Sequence, residues 1–250
     1  MNKQKKAQSL PKTLRKQIIK SNTQESPCSV KICGITSIHD AQLAANAGAD
    51  YIGVLVDVAV SERTRSTAEA SEIASASPIP AVLLLYNRST SDIQEVVSQT
   101  HPFAVQLLGQ ESPQQVEALK RTVACQLWKS VYLPAGSPEN VDVPAVQDEM
   151  KAYRDAGADF LLFDSVDMSL EKPRYGGTGK TCDWNVAAEL ITDSPLPVFF
   201  AGGIRPENVR AAIETIRPQG IDLCSGVEAS KGIKDPSKLK RLMEQIEQAG

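Results

Sequence analysis

The sequence predicts a single (β/α)8 barrel, and three observations predict it. From about residue 29 onward, short apolar runs alternate with helical patterns, as they do when a parallel sheet is covered by helices. Eight such units in roughly 220 residues is the size of one closed barrel. Near the C-terminus two strands each end in small residues: Phe199-Phe200-Ala201-Gly202-Gly203-Ile204 and Ile221-Asp222-Leu223-Cys224-Ser225-Gly226. Paired turns of this kind build the phosphate site after strands seven and eight of such barrels. An open doubly wound sheet is the alternative, but the chain has no G-x-G-x-x-G after its first strand.

The expected strands are Ser29–Ile35, Tyr51–Leu55, Ala81–Tyr86, Ala104–Leu107, Cys125–Val131, Phe160–Asp164, Val198–Ala201 and Gly220–Leu223. Most are apolar on both faces, as buried parallel strands must be. Helical patterns lie between them, among them Ile38–Ala47, Pro113–Thr122, Pro144–Ala156 and Pro236–Gln248. Ser37 and Ser112 have the side chains and positions of N-caps. Ala-Gly-Ala-Asp occurs at 47–50 and again at 156–159, each time directly before a strand. That repeat reads as a helix C-cap feeding a parallel sheet.

Charge is unevenly spread. Lys3, Lys5, Lys6, Lys12, Arg15, Lys16 and Lys20 form a basic arm with no acid before Glu25. The whole chain carries −3, and removing those seven cations takes it to −10. So acidic a body is unsuited to general nucleic-acid binding. Residues 1–28, poor in apolar periodicity, are expected to be a disordered extension, with the barrel over 29–250. A transit peptide is the alternative for the arm, against which its preference for Lys over Arg counts. No apolar run reaches the roughly 18 residues of a membrane span. The five cysteines, Cys28, Cys33, Cys125, Cys182 and Cys224, are widely spaced without a C-x-x-C. This speaks against a disulfide framework or a zinc site and for a reducing cytoplasm.

In a barrel of this kind, chemistry gathers at the C-terminal ends of the strands. Cys33 follows the first strand, where a thiolate can act as a base if nearby cations or dipoles stabilise it; a free Cys is equally an ordinary small core residue. Asp164 ends the sixth strand, where a partly buried carboxyl can act as a general acid, or simply cap a loop. Arg63, after the second strand, can clamp a carboxylate with two parallel hydrogen bonds, or lie solvated on the surface. Gly202, Gly203, Ser225 and Gly226 can offer backbone N–H groups to a phosphate, assisted by the Ser225 hydroxyl and a helix start at Val227. The run Tyr175-Gly176-Gly177-Thr178-Gly179-Lys180-Thr181 lacks the first glycine of a Walker loop, because Arg174 stands there. It reads as a mobile lid after strand six, or as a plain loop.

The ordered set Lys31-Ile32-Cys33-Gly34-Ile35-Thr36, Gly48-Ala49-Asp50-Tyr51-Ile52-Gly53, Gln106-Leu107, Asp164-Ser165, Gly176-Gly177-Thr178-Gly179-Lys180, Asp183-Trp184, Ala201-Gly202-Gly203, Pro206-Glu207-Asn208-Val209 and Ser225-Gly226-Val227-Glu228 resembles the phosphoribosylanthranilate isomerase family of tryptophan biosynthesis, from about Val30 to the C-terminus. The resemblance implies that Cys33 is the general base, Asp164 the general acid, and Arg63 the partner of the anthranilate carboxylate. It implies a phosphorylated small-molecule substrate and an Amadori rearrangement that needs neither metal nor cofactor. Leu108 stands where the family usually has His, and Ser61-Glu62-Arg63 where it has Ser-Pro-Arg. These departures motivate a second reading, a paralogue acting on another phosphorylated sugar amine. A third is a non-catalytic barrel that binds a phosphometabolite.

Overall fold

A computed structural model describes residues 28–136, 138–169, 174–175 and 180–249. The basic arm up to residue 27 and the glycine-rich run 176–179 lie outside the described residues. Eight parallel strands form the barrel wall: β1 (Ser29–Ile32), β2 (Tyr51–Leu55), β3 (Ala81–Leu85), β4 (Ala104–Leu107), β5 (Gln126–Pro134), β6 (Phe160–Asp167), β8 (Val198–Phe200) and β9 (Gly220–Leu223). They hydrogen-bond in this order, and pairing of β9 with β1 closes the ring. A two-residue strand, β7 (Arg174–Tyr175), runs antiparallel to the end of β6.

The helices are α1 (Ile38–Ala47), α2 (Thr67–Ala76), α3 (Thr90–Thr100), α4 (Pro113–Thr122), α5 (Val143–Asp155), α6 (Trp184–Thr192), α7 (Val209–Ile216) and α8 (Pro236–Glu247). Their starts follow from sequence. The side chains of Ser37, Ser66, Ser89, Ser112, Asp142, Asp183 and Asp235 each accept a hydrogen bond from a first-turn amide, satisfying donors the helix itself leaves unpaired.

The repeated Ala-Gly-Ala-Asp does the same work twice. The Asp50 carboxylate accepts the Val30 N–H at 2.9 Å, and the Asp159 carboxylate accepts the Leu127 N–H at 2.8 Å. The backbone N–H groups of the same two aspartates donate back to Val30 and Leu127 at 2.9 and 2.7 Å. Each motif therefore ends a helix and fastens the next strand to the start of the one before it.

Strand limits differ from the sequence reading by one residue at the ends of β3 and β8 and by more at three places. β1 ends at Ile32, because Gly34 takes φ 69° and turns the chain away. β5 begins at Gln126 and continues to Pro134, since β6 pairs with it as far as Val166. β6 likewise runs past Asp164 to Asp167, so Asp164 lies within a strand and not at its end. A further departure follows β9: no α-helix starts at Val227. Ser225–Val227 forms one 3-10 turn leading into a small hairpin of β10 (Glu228–Ser230) and β11 (Ile233–Lys234).

Alternation along the strands divides the apolar residues into two sets. Ile32, Leu83, Val105, Leu161 and Phe200 face the helices in the larger core, whereas Val82, Leu84, Ala104, Trp128, Leu162 and Phe199 fill the barrel. The N-terminal end of the barrel is plugged by rings: Trp128 lies 4.8 Å from Phe199 and 5.4 Å from Tyr51, centroid to centroid. Above the plug the interior turns polar. Lys31 Nζ, wholly buried, donates to Asp222 Oδ2 at 2.7 Å across the closing β1–β9 pair. Burial pulls the Lys31 ammonium down, but Asp222, with Cys33 and Cys224, outweighs it and holds the group above its ordinary range.

Asp222→Ala leaves that ammonium unpaired inside the barrel, and is expected to lower the unfolding free energy by about 3–5 kcal/mol. Lys31→Met combined with Asp222→Leu removes both charges and should recover most of the loss. Urea unfolding monitored by the fluorescence of buried Trp128 reads both variants, and equal losses in the single and double variants would contradict this account.

Candidate active site

The C-terminal ends of the barrel strands enclose a cavity of about 540 Å³. Cys33, Asp164, Arg63, Gly202, Gly203, Ser225 and Gly226 all line it. The fold thus brings together every site residue expected from the sequence, from five different strand ends. The lid residues 176–179 lie outside the described residues, although Tyr175 beside them also lines the cavity.

Cys33 sits just beyond β1, with its N–H donating to Leu223 O at 2.8 Å. Its side chain points into the barrel and is only 6% exposed. Contact with the Cys224 thiol, then burial, then Asp222 push the Cys33 thiol well above the ordinary range, against the pull of Lys31. Cys224 moves the opposite way. Its contact with Cys33 lowers it, and Lys234 and Arg63 add to that effect against burial. The two thiols therefore titrate as one unit, with the first negative charge favoured on Cys224.

Gly34 makes this arrangement possible. A Cβ there would lie 2.6 Å from Cys224 Sγ and 2.7 Å from Arg63 Cδ. Only a residue without a side chain lets both groups press against the first strand's exit turn.

Arg63 reaches the cavity from the loop after β2. Its fork is engaged: Nε and Nη2 donate to Glu228 Oε1 and Oε2 at 2.7 and 2.6 Å. Burial would raise Glu228, but Arg63 and Lys234 hold its carboxyl below the usual range. Among the described residues, Arg63 Nη1 makes no hydrogen bond.

Asp164 projects from β6 into the opposite wall, half-buried, and its Oδ1 accepts the Ser165 N–H at 2.7 Å. Next to it Tyr132 is half-buried, donates its hydroxyl to Leu108 O at 2.6 Å, and meets Tyr175 edge to face at 5.1 Å. With Leu55, Leu84, Tyr86 and Leu108 these rings make one side of the cavity apolar.

The other side is backbone. Gly202 and Gly203 both have positive φ, at 93° and 68°. Asn208 braces their loop, donating to Gly203 O at 3.0 Å and accepting from Arg205 N at 2.7 Å. Because its side chain is so used, it does not cap α7, and the first amides of that helix lack a side-chain acceptor. A Cβ on Gly226 would lie 2.3 Å from Ile204 O, so the two small-residue turns are in contact. One wall thus suits an anion and the other an aromatic ring.

Several site groups escaped the sequence reading. Cys224 was counted as a cysteine but not placed in the site. Its place beside Cys33 follows from the in-register pairing of β9 with β1, which no local sequence pattern signals. Gln106 and Asp222 face inward at the cavity floor, and among the described residues Gln106 Oε1 and Asp222 Oδ1 have no hydrogen-bond partner. Polar residues in otherwise apolar parallel strands are the signal for both.

A model of the N-(5′-phosphoribosyl)anthranilate isomerase family matches residues 30–245. The chain is 37% identical over 220 residues to the N-(5′-phosphoribosyl)anthranilate isomerase of Methanocella arvoryzae, covering 87% of this chain and 97% of that one. To the isomerase of Aquifex aeolicus it is 35% identical over 217 residues, covering 86% and 96%. The crystal structure of the Thermotoga maritima phosphoribosylanthranilate isomerase superposes with a TM-score of 0.74 at 30% identity, covering 88% of this chain and 99% of that one. An isomerase solved with reduced 1-(o-carboxyphenylamino)-1-deoxyribulose 5-phosphate superposes with a TM-score of 0.71 at 27% identity, again covering 88% and 99%. With its barrel, its cavity and matches that span nearly the whole described chain, this protein belongs to the phosphoribosylanthranilate isomerase family.

Proposed function

We propose that the protein isomerises N-(5′-phosphoribosyl)anthranilate to the 1-deoxyribulose 5-phosphate ketoamine. The observation that supports this reading best is the division of one cavity into a glycine-rich anion wall and an apolar wall, with Cys33 and Asp164 on different strands between them. The phosphate would rest on the amides of Gly202, Gly203, Ser225 and Gly226 and on the Ser225 hydroxyl. The anthranilate ring would lie against Leu55, Leu108 and Tyr132. Arg63 Nη1 would meet the anthranilate carboxylate while Glu228 keeps the guanidinium in place.

In the first step Asp164 gives a proton to the ribose ring oxygen. The C1′–O bond breaks as the anthranilate nitrogen supplies its electron pair, and an open-chain imine forms. Cys33, as thiolate, then removes the C2′ proton. The electron pair moves into a C1′=C2′ bond and discharges the imine, giving an enolamine that tautomerises to the ketoamine. The imine itself takes up the electron pair, so the rearrangement requires no external oxidant or reductant. The proton resting on Cys33 must first pass to Cys224 or to solvent. Work in a reducing cytoplasm, where both thiols stay free, fits this chemistry.

Leu108 favours a second reading, the same chemistry on another phosphorylated sugar amine. Turnover of freshly generated phosphoribosylanthranilate, read as loss of its fluorescence, separates the two. No turnover above buffer in soluble protein, together with failure to rescue a tryptophan auxotroph, would overturn the first reading.

If the roles are right, Cys33→Ser and Asp164→Asn each lower kcat by about 10²-fold or more, as removal of a general base or acid does, with circular dichroism unchanged. The ascending limb of kcat/KM against pH should follow proton loss from the thiol pair. Activity is expected to rise with pH, because only the deprotonated pair can take the C2′ proton. Gly203→Val places a β-branched side chain at φ 68° on the anion wall. It should raise KM at least about tenfold, roughly 1.4 kcal/mol of binding, and weaken competitive inhibition by inorganic phosphate. An unchanged phosphate inhibition constant would remove this wall from the substrate site.

A further inference from the structure

In the proposed reaction Cys224 at most takes the proton of Cys33, yet its sulfur lies beside that of the proposed base. β1 and β9 pair in register, Ile32 opposite Leu223, so Cys33 and Cys224 are the next pair along the seam. Cys33 N–H continues the ladder to Leu223 O at 2.8 Å. Neighbouring strands stand about 4.8 Å apart, within the roughly 4.4–6.8 Å between Cα atoms that a disulfide bridges. Residues at matched positions of parallel strands point to one face, and both sulfurs point into the barrel and line the same cavity. Gly34 removes the side chain that would otherwise stand 2.6 Å from Cys224 Sγ.

We infer that Cys33 and Cys224 are a modification site, a thiol pair across the barrel seam that hydrogen peroxide converts to an intramolecular disulfide. The cross-link stands on geometry alone; its consequence for activity rests on the proposed role of Cys33. Cys224, with Lys234 and Arg63 nearby, is the attacking sulfur. Its thiolate forms an S–O bond with the distal peroxide oxygen as the O–O bond breaks, and the departing hydroxide takes a proton from solvent to become water. The Cys33 thiol then attacks the Cys224 sulfenic acid. The S–S bond forms, the S–O bond breaks, and the released hydroxide leaves as water with the Cys33 proton. Two thiols are oxidised, one peroxide is reduced, and two waters result. A cavity open to solvent admits a molecule as small as hydrogen peroxide. The other cysteines are kept as thiols by burial, which pushes Cys28 and Cys182 up to about 12 and Cys125 to about 11.

Reduced full-length protein is treated with stepwise hydrogen peroxide, quenched with an alkylating agent and mapped by mass spectrometry without reduction. The expected result is a peptide pair joining Cys33 to Cys224, a mass lower by two hydrogens, and full reversal by dithiothreitol. Turnover of phosphoribosylanthranilate should fall with the same dose and return on reduction. Cys224→Ser should give no cross-link, and Cys33→Ser should leave the Cys224 sulfenic acid unresolved, so that it goes on to a sulfinic acid that resists dithiothreitol. Cross-links from Cys33 to another cysteine would overturn the inference. So would free Cys33 and Cys224 at doses that oxidise the exposed Met168. A Cys33–Cys224 disulfide in protein that shows no turnover before oxidation upholds the site and counts against the proposed function instead.

Discussion

The seam between β1 and β9 is the constraint on which the rest of the molecule depends. It joins residues about as far apart in sequence as the barrel allows, with Lys31 and Asp222 separated by 191 positions. The entropic cost of closing so long a loop is offset only if the last strand docks in one register. Two features select it: the backbone ladder from Ser29–Gly220 to Ile32–Leu223, and an ion pair that a slip of one residue would turn to the wrong face. Everything at the cavity mouth inherits that register. Cys33 meets Cys224, Gly34 admits Arg63, and Ser225–Val227 turns towards the loop after β8 because β9 ends where it does.

Charge inside the barrel is costly, and the chain manages it by pairing. Lys31 has Asp222, and Glu228 has Arg63 and Lys234. The second cluster also shapes the site. Glu228 takes two of the donors of Arg63, and this fixes the guanidinium plane while, among the described residues, Nη1 makes no hydrogen bond. A pre-oriented fork loses less rotamer freedom on meeting a carboxylate than a mobile one. The same cluster lies close enough to Cys224 to favour its thiolate. In the proposed reading, binding and thiol chemistry thus draw on one set of cations.

Much of this was legible in the sequence. Eight apolar runs marked the wall, serines marked the helix starts, and the repeated Ala-Gly-Ala-Asp marked two junctions whose aspartates prove to fasten neighbouring strands. The candidate site residues share one cavity because most of them follow strand ends, a position that local pattern reveals; Asp164, inside β6, is the exception. What stayed hidden depends on pairing between distant strands. Nothing near residue 224 in sequence says that its sulfur meets that of Cys33. Strand length was misjudged at β5 and β6 for a related reason: their extra residues persist by pairing with each other, as Tyr132 with Asp164. The helix expected at Val227 gave way to a 3-10 turn because Glu228 is committed to Arg63, Lys234 and the Gly232 N–H. Those partners hold the chain extended.

The departure at Leu108 is best judged against its surroundings. Leu108 N–H donates to Leu85 O, and its carbonyl accepts the Tyr132 hydroxyl. The backbone of this turn is thereby fixed whatever side chain it bears. What the leucine changes is the wall, which becomes continuous from Leu55 and Leu84 to Tyr132 and Tyr175. An apolar wall discriminates weakly between rings of similar size, by about 1–3 kcal/mol per methylene, whereas a hydrogen-bonding site strongly rejects a ligand lacking the matching group. Replacing imidazole by leucine therefore moves the burden of recognising the ligand from this wall to Arg63 and to the glycine turns. In the proposed reading these would meet the two charged ends of a phosphoribosylanthranilate, and neither depends on residue 108.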